Sequence, residues 1–308
     1  MSAPRVSVIV NCYNGDRYLE EALNSIYAQS MADFEVIFWD NGSTDRSAEI
    51  AQRAEYAPRM RYFRAVETIP LGGARNLAVE QARGEFIGFL DTDDRWYPHT
   101  LATLLAAASG EIDVVYAGVR NIDATGSPLS VLAPPARSGS LLDALLRQFD
   151  IYVQALLIRR AALARTGLAF DPAITASEEY CLLMQLAADV QMRSIPDVLA
   201  DYRIHANALT GKSAAKWADE RFYTLARLQQ RYPEVITKHP EAFKEAYARG
   251  HYYRARQFMS TGERARARAE LRVASGAGVT YRALYWLAFA PSAVWNLVHR
   301  WKTRRTAS

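Results

Sequence analysis

The chain has 308 residues, of which 50% are hydrophobic and 23% charged, a composition that excludes a disordered protein and allows a large catalytic domain with an appendage. Its two cysteines, Cys12 and Cys181, are too far apart in sequence for a disulfide framework or a zinc motif, and they fit a reducing compartment. The formal charge of +4 is uneven, because the residues after 248 include twelve Lys and Arg but two acids, which argues against one nucleic-acid-binding surface over the whole chain.

Short apolar runs alternate with helical patterns over the first 120 residues. Strands are predicted at 6–10, 35–39, 60–64, 86–90 and 113–119. Asp16 is expected to cap a helix, and another helix is expected at 74–82. Apolar strands separated by helices predict an α/β fold, with a mostly parallel nucleotide-binding sheet flanked by helices on both faces.

The rest of the chain is less regular and then becomes helical. Helices are predicted at 141–149 and 178–188, strands at 155–158 and 199–204, and a loop at 134–139. After residue 213 the pattern is helical almost throughout, with a helical hairpin over 247–274 that turns at Gly262. We therefore expect a catalytic domain over 1–210, with a donor half at 1–120 and an acceptor half at 121–210, and an α-helical C-terminal region over 211–308.

Polar residues directly follow three of the predicted strands. Asn11, Asp40 and the Asp91–Asp94 segment each stand at a strand end. In open α/β sheets, ligands bind outside the carboxyl ends of the strands. The fold therefore predicts that these side chains converge at one edge of the sheet.

Asp91, Asp93 and Asp94 place three carboxylates within four residues. Their mutual repulsion is unfavourable unless a cation lies among them. Oxygen ligands without His or Cys neighbours favour Mg or Mn, which commonly also bind substrate phosphates. The alternative is a polar turn that caps the next helix.

Asp40 is a second candidate for binding a nucleotide. A carboxylate after the second strand of a nucleotide-binding sheet can accept hydrogen bonds from a ribose or a base. The alternative is that Asp40 only makes the turn beside Asn41-Gly42.

Four ordered motifs resemble those of family 2 glycosyltransferases, over about residues 4–210. They are Ser7-Val-Ile-Val-Asn-Cys-Tyr-Asn14, Trp39-Asp-Asn-Gly-Ser-Thr-Asp45, Gly73-Ala-Arg-Asn76 and Phe89-Leu-Asp-Thr-Asp-Asp94. The resemblance implies the A-type glycosyltransferase fold and a metal-dependent, inverting transfer of a sugar from a nucleotide diphosphate sugar to an acceptor hydroxyl. It also implies a role in cell-surface polysaccharide or lipid-linked glycan assembly, with a UDP-sugar as the expected donor and a glycan or lipid-linked acceptor.

The resemblance assigns donor-binding roles at the strand ends. Tyr13 and Asp40 would line the nucleoside pocket beside Asn11, and Arg75 would lie near the base or the diphosphate. His205, in Tyr202-Arg-Ile-His205, would contact the diphosphate or the metal, although a lone His is often structural.

The aspartates would share the ribose and metal contacts. Asp91 and Asp93 form the Asp-x-Asp pair, and Asp93 and Asp94 are the expected contacts to ribose and metal. Which of the three carboxylates binds the cation stays open at this point.

The segment 176–186 resembles the family's Glu-Asp helix start, whose second acid acts as general base. That acid is Glu179, where the family commonly has Asp, and the extra methylene leaves Glu178 open as the base instead. The alternative is that both acids only interact with the helix dipole.

The C-terminal tail combines aromatic and basic residues. The sixteen residues 283–298 carry no charge, and their length is below the ~20 that span a bilayer. Basic residues flank them, so 281–305 is expected to lie on an anionic membrane surface, with an ordinary packing helix as the alternative. Since the apolar run 6–10 is too short for a signal peptide, we expect a cytoplasmic protein, peripheral on the inner face of the cell membrane.

Three other functions compete with sugar transfer. A nucleotidyltransferase would show a Gly-rich basic loop after the first strand, which 11–15 lacks. A catalytically silent nucleotide-sugar-binding assembly partner is favoured by Glu179 and opposed by the intact Asp91–Asp94 segment. Nucleic-acid binding is not expected, because the aromatic and basic residues concentrate in the tail.

Overall fold

The structure is a computed structural model that describes residues 3–206, 214–291, 294–296 and 298. The chain divides into two compact units. Unit 1 comprises Met1–Leu141, Asp150–Ala173 and Asp189–His205, and unit 2 comprises Leu142–Phe149, Ile174–Ala188 and Ala206–Ser308. This division is not the single boundary expected near residue 210, because two earlier segments pack with the C-terminal helices. Which segments form the catalytic domain stays a prediction.

Unit 1 is built on one ten-stranded sheet. Its strands are β1 (Val6–Cys12), β2 (Phe34–Asp40), β3 (Met60–Arg64), β4 (Phe86–Phe89), β5 (Arg95–Trp96), β6 (Val114–Ile122), β7 (Pro128–Leu132), β8 (Arg137–Gly139), β9 (Leu156–Arg159) and β10 (Met192–Arg203).

The strand order is β3-β2-β1-β4-β9-β6-β10-β5, with β7 beside β6 and β8 beside β10. The strands β3, β2, β1 and β4 are parallel to one another, and this part of the sheet is parallel as expected. The strand β9 is antiparallel to both β4 and β6, so the sheet is mixed beyond β4. The carboxyl ends of β1, β2 and β4 therefore lie at one edge, as the sequence predicted.

Helices cover the sheet of unit 1. They are α1 (Asp16–Tyr27), α2 (Ser47–Ala51), α3 (Leu71–Glu80), α4 (Thr100–Ala107) and α6 (Arg160–Thr166). The helix α1 shows why these segments are helical: Leu19, Ala22, Leu23 and Ile26 recur at helical spacing and are fully buried. The helix begins at Asp16 itself, with Gly15 at the N-cap, so Asp16 is not the capping residue that we expected.

Unit 2 is helical in the residues that the structure describes. Its helices are α5 (Leu142–Arg147), α7 (Glu178–Asp189), α8 (Trp217–Arg231), α9 (Val235–Lys238), α10 (Pro240–Ser260), α11 (Arg264–Ala274) and α12 (Val279–Leu287). The helices α10 and α11 form the expected hairpin, and Gly262 adopts φ +81° in its turn, a conformation that favours glycine. Within the described ranges, no helix has the length and apolar character that crossing a membrane requires.

The predicted fold class is confirmed: an α/β fold with a central sheet flanked by helices, and an α-helical C-terminal region. Three strands were missed, and the first of them, β5, has only two residues. The strand β7 begins with Pro128, and β8 lies inside the segment 134–139 that was expected to be a loop. Both are short and partly exposed, so they carry no apolar run that marks a strand.

Candidate functional site

The three aspartates lie on the turn between β4 and β5, which we call the acid turn (Asp91–Asp94). Asp91 Oδ1 accepts a hydrogen bond from Arg75 Nη2 at 2.9 Å. The Arg75 side chain is 3% exposed, and its guanidinium carbon lies 5.5 Å from the centroid of the Phe170 ring and 6.0 Å from that of Phe89. Arg75 thus contributes a buried positive charge that offsets one carboxylate of the acid turn.

Asp93 is the partly exposed carboxylate that contacts His205. Its Oδ2 lies 2.9 Å from His205 Nε2, and the two side chains are 30% and 12% exposed. Partial burial and the charge of Asp91 raise the pKa of Asp93, although the contact with His205 lowers it. The structure therefore brings together Asp93 and His205, which are 112 residues apart in sequence.

Asp94 is buried and only half satisfied. Its Oδ1 accepts a hydrogen bond from the Arg203 N–H at 2.8 Å, whereas Oδ2 is buried and has no hydrogen-bond partner among the described residues. Burial, then the charges of Asp93 and Asp91, raise the pKa of Asp94 well above its usual range. An unpartnered buried carboxylate oxygen is an acceptor that a proton, a water or a cation would satisfy.

Arg203 holds the acid turn from the end of β10. Its Nε donates to the Asp93 carbonyl at 2.8 Å, and its Nη2 donates to Glu21 Oε2 at 2.6 Å. Its guanidinium carbon lies 4.4 Å from the centroid of the Tyr18 ring, and the side chain is 2% exposed. One buried arginine therefore links the acid turn to helix α1.

The loop after β1 lies against the acid turn. A Cβ atom at Gly15 would lie 2.7 Å from Thr92 Oγ1, so the close approach of the two loops requires glycine there. The loop also carries Tyr13, whose ring is 57% exposed, and Asn14, which adopts φ +52°. Tyr13 is thus accessible at the edge of the sheet where the sequence placed the nucleoside pocket.

Side chains after β2 hold the loop after β1. The Asn14 N–H donates to Ser43 Oγ at 3.0 Å, and the Gly15 N–H donates to Ser47 Oγ at 3.0 Å. The Asp16 N–H donates to Asp45 Oδ2 at 3.0 Å. Polar side chains in and just after the second motif therefore fix the backbone at the end of the first motif and just after it.

Asp40 is satisfied from inside the protein. Its side chain is fully buried, with Oδ1 accepting from the Ser43 N–H at 2.7 Å. Its Oδ2 accepts from Tyr62 Oη at 2.6 Å and from Arg64 Nη1 at 2.9 Å. Contact with a nucleoside would require an exchange of one of these hydrogen bonds.

Asn11 lies on β1 beside Trp39 of β2. Its side-chain nitrogen Nδ2 is buried and makes no hydrogen bond within the described part of the chain. The Trp39 Nε1 is also buried and unpartnered there. Two unsatisfied donors thus lie on neighbouring strands near the edge where the loops converge.

A divalent cation fits the acid turn only in part. Across the described residues, no group of three or more His, Cys, Asp and Glu side chains is placed to hold a metal ion. Mg and Mn sites that bind substrate phosphates commonly use one or two protein carboxylates and complete their shell with phosphate oxygens and water. The accessible Asp93 and the unpartnered Asp94 Oδ2 meet that smaller requirement.

Glu178 and Glu179 are the first two residues of α7, in unit 2. Glu178 is 5% exposed, whereas Glu179 is more accessible. Of the two candidates for the base, Glu179 is therefore the more exposed.

Sequence reasoning missed the residues that hold the site. Arg203 belongs to the segment Tyr202-Arg-Ile-His205. Nothing in the residues near it in sequence indicates that it contacts the Asp93 carbonyl and the Glu21 carboxylate, which lie far away in the chain. Ser43 and Asp45 likewise belong to the second motif, and their partners lie about thirty residues earlier.

Comparison with known families assigns the chain to a class. The sequence profile of the family described as glycosyl transferase family 2 matches residues 7–163, about half of the chain. The chain belongs to this family, as the four motifs predicted.

Relatives from bacteria agree with that assignment. The chain is 31% identical over 219 residues to the uncharacterized glycosyltransferase EpsJ of Bacillus subtilis, covering 67% of this chain and 63% of EpsJ. It is 30% identical over 230 residues to the uncharacterized glycosyltransferase alr2836 of Nostoc, covering 68% of each. A shorter match to the putative glycosyltransferase EpsH of Bacillus subtilis, 39% identical, spans 37% of this chain and 33% of EpsH. The chain thus spans less than two thirds of the length of EpsJ and EpsH.

Solved structures share the fold. The structure of S. aureus TarS 1-349 superposes with a TM-score of 0.68 at 20% identity, covering 88% of this chain and 80% of that one. The mannosyltransferase PcManGT of Pyrobaculum calidifontis, solved with GDP-Man and Mn²⁺, gives a TM-score of 0.66 at 21% identity, covering 99% and 83%. These neighbours have the A-type glycosyltransferase fold, which confirms the predicted fold family.

Proposed function

We propose that the protein transfers a sugar from a nucleotide diphosphate sugar to an acceptor hydroxyl, with inversion at the anomeric carbon. The acid turn carries this proposal. It places a partly exposed Asp93 beside His205, and an unpartnered Asp94 oxygen next to it, at the strand ends where a nucleotide binds. Family membership supports the reaction class.

The reaction proposed is a single displacement. The acceptor hydroxyl oxygen attacks the anomeric carbon while Glu179 removes the hydroxyl proton, with Glu178 as the alternative base. The bond from the anomeric carbon to the diphosphate oxygen breaks, and the diphosphate leaves with the bonding electron pair. The nucleoside would be contacted by Tyr13 and Asn11. Asp40 would join them only after its internal hydrogen bonds rearrange. Arg75 and Asp91 would shape the diphosphate side.

The proposed cofactor is a divalent metal, Mn or Mg, held by Asp93 and Asp94, with His205 beside Asp93. When bound, such a cation offsets the negative charge that develops on the leaving diphosphate. The protein's own part is positional: Arg203 fixes the backbone at Asp93 and one oxygen of Asp94. PcManGT, which was solved with Mn²⁺, supports this proposal.

A UDP-sugar is the proposed donor. TarS 1-349 was solved with UDP-GlcNAc and with UDP, and PcManGT was solved with GDP-Man. Proteins of this fold therefore include some that bind a UDP-sugar and some that bind a GDP-sugar. The proposed acceptor is a glycan or a lipid-linked glycan, in cell-surface polysaccharide or lipid-linked oligosaccharide assembly.

We propose a peripheral membrane location on the cytoplasmic side, which would give access to a lipid-linked acceptor. Exposed aromatic residues in and just after α12 support it. Tyr281, Leu284 and Trp295 are buried in the helical core of unit 2, as in a packing helix. Trp286 and Phe289 are 69% and 52% exposed. Residues 292, 293, 297 and 299–305 of the expected membrane segment lie outside the described residues.

One arginine lies against an exposed aromatic ring, and other arginines of α11 and α12 are exposed. The Arg268 guanidinium carbon lies 5.0 Å from the centroid of the Phe289 ring, and Arg266, Arg272 and Arg282 are exposed. Aromatic side chains with nearby cations suit the interface of an anionic membrane. The Trp286→Ser/Phe289→Ser variant should therefore lose flotation with phosphatidylserine vesicles, whereas Val66→Ser, which alters a fully exposed valine in unit 1, should keep it. Undiminished flotation of the double variant would contradict this surface.

A donor screen tests the function. The purified protein is incubated with Mn²⁺, a panel of nucleotide sugars and a panel of glycan acceptors, and the released nucleoside diphosphate is measured. We expect release with one donor, lost with EDTA and in Asp93→Ala and Glu179→Ala. If no donor reacts and no nucleotide binds, the transferase proposal is wrong; binding without turnover by any donor and acceptor would favour the silent assembly partner.

A further inference from the structure

A buried carboxylate on α8 holds the segment that leads into the proposed base. Glu220 is 8% exposed, and its two oxygens accept four hydrogen bonds. Oε1 accepts from the Thr175 N–H at 2.9 Å and from Thr175 Oγ1 at 3.2 Å. Oε2 accepts from the Ala176 N–H at 3.0 Å and from Ser177 Oγ at 2.8 Å. Three consecutive residues are thus bound by one side chain.

These three residues immediately precede Glu178 and Glu179, where α7 begins. The chain enters unit 2 at Ile174, so Glu220 binds the first residues of that entry. The Lys216 Nζ donates to Thr175 Oγ1 at 2.8 Å and supports the same segment. The backbone before the proposed base is therefore fixed from the helical C-terminal region.

The next residue of α8 contacts the other side of the two glutamates. The Arg221 guanidinium carbon lies 4.7 Å from the centroid of the Tyr180 ring, and Arg221 Nε donates to the Ala246 carbonyl at 3.0 Å. Consecutive residues of α8 thus contact the residues just before and just after Glu178 and Glu179 in the chain. A base held in this way keeps its place only while α8 is docked.

We infer that Glu220 is a positioning residue for the catalytic carboxylates of α7, an inference that rests on the proposed function. Hydrogen bonds to an ionised carboxylate are stronger and more directional than those between neutral groups. A base must lie within hydrogen-bond reach of the proton it removes, and an error of about 1 Å can slow a reaction about a hundredfold. The four bonds of Glu220 supply that precision to the start of α7.

Glu220→Gln tests the role with little change of shape. The new amide keeps one acceptor oxygen but presents N–H groups where Oε2 accepted hydrogen bonds from Ala176 and Ser177. We expect kcat to fall roughly 10- to 100-fold, with donor KM and nucleoside diphosphate affinity within about twofold of wild type, because the proposed donor residues lie in unit 1. Glu220→Asp keeps both carboxylate oxygens, and its kcat should lie between that of wild type and that of Glu220→Gln.

Asp219→Asn is the matched control. Asp219 is the preceding residue of α8, is 74% exposed and pairs with Arg254, so this variant also removes a paired carboxylate. We expect its kcat to stay within about twofold of wild type. Hydrogen–deuterium exchange of the Thr175 and Ala176 amides should accelerate in Glu220→Gln and not in Asp219→Asn, a readout that needs no turnover.

Three results would overturn the inference. Equal kcat in Glu220→Gln and Asp219→Asn would show that the bonds of Glu220 do not serve the reaction. A fall in kcat accompanied by weakened nucleotide binding would assign Glu220 a general structural role. Unchanged exchange at Thr175 and Ala176 would show that Glu220 does not hold this segment. Failure of the wild-type protein to transfer sugar from any donor is a separate result, which would contradict the proposed function itself.

Discussion

The carboxylate that ends β2 and those that follow β4 lie at the same edge of the sheet, but their hydrogen-bonding surroundings differ. Asp40 is fully buried and receives hydrogen bonds from a backbone amide, a tyrosine and an arginine. Asp93 is partly exposed, and Asp94 has an oxygen without a partner in the described chain. A position at a strand end therefore brings a carboxylate to the ligand edge, whereas the internal donors around it decide whether it remains available to a ligand.

Asp201, near the end of β10, resembles Asp40 and differs from Asp93 in the same way. Asp201 is fully buried and accepts hydrogen bonds from Arg120 Nε at 2.8 Å and from Tyr97 Oη at 2.9 Å, and it also pairs with Arg95. Burial alone would raise the pKa of Asp201, but the hydrogen bonds from Arg120, Arg95 and Tyr97 outweigh burial and lower it. Asp201 and Asp40 are thus expected to stabilise the fold, and Asp93 to serve the reaction.

The largest effect is expected for Asp93→Asn. The variant keeps the shape of the side chain and removes the charge proposed to hold the cation, so kcat/KM should fall about a thousandfold, or about 4 kcal/mol. The melting temperature should change little, because Asp93 is partly exposed. Steady-state kinetics and thermal unfolding measure both, with Asp197→Asn, an exposed acid of β10, as the control. If Asp93→Asn lowered the melting temperature but kept normal turnover, Asp93 would be a structural residue, which would contradict the contrast with Asp40 and Asp201.

Asp201→Asn is expected to lower the free energy of unfolding by about 3 kcal/mol, because Arg95 and Arg120 lose their buried partner. The folded pKa of Asp201 lies below its unfolded value of about 3.9, so its contribution is present above that pH and is lost as the pH falls through the folded pKa. Denaturation of wild type and variant from neutral pH down to acid pH should therefore give converging stabilities. A constant difference across that range would contradict the assignment.

The effect of Asp40→Asn is expected to be smaller and to fall on stability, because the internal hydrogen bonds of Asp40 hold its carboxylate away from a ligand as long as they persist. The amide cannot accept from all three donors, which costs about 2 kcal/mol of unfolding free energy. Nucleoside diphosphate affinity should stay within about twofold of wild type at a temperature where the variant is folded. Asp33→Asn, an exposed acid just before β2, is the control for stability. A selective loss of nucleotide affinity would instead support the nucleoside contact that the family resemblance implies.

Arg203→Lys should give the smallest effect. Lysine cannot reproduce the two hydrogen bonds to the Asp93 carbonyl and Glu21, so the acid turn loses support and Mn²⁺ activation should need about tenfold more metal. Arg17→Lys is the matched control, because Arg17 also stacks on Tyr18, at 4.9 Å, but is exposed. Identical Mn²⁺ activation curves for the two variants would show that Arg203 does not support the site.

Local patterns predicted much of the fold and the position of the acid turn at the end of a strand. The buried β-branched runs of β1 and β2, the helical spacing of α1 and the glycine of the α10–α11 turn are all readable from neighbouring residues. Only the Ser43 amide, three residues from Asp40, is a local partner. The other partners named for Asp40, Asp94 and Arg203 are not readable in this way, because they lie 22 to 182 residues away and depend on the folded sheet. The acid turn was therefore predictable, and the groups that hold it were not.

Isothermal titration of a panel of nucleoside diphosphates into the wild-type protein, with Mn²⁺ and then with EDTA, tests most directly whether the acid turn is a metal-dependent donor site. We expect one nucleotide to bind roughly tenfold or more tightly with Mn²⁺, and this difference to vanish in Asp93→Asn while it persists in Asp40→Asn. Equal affinities with and without metal, or a metal effect that survives in Asp93→Asn, would contradict the assignment of the acid turn.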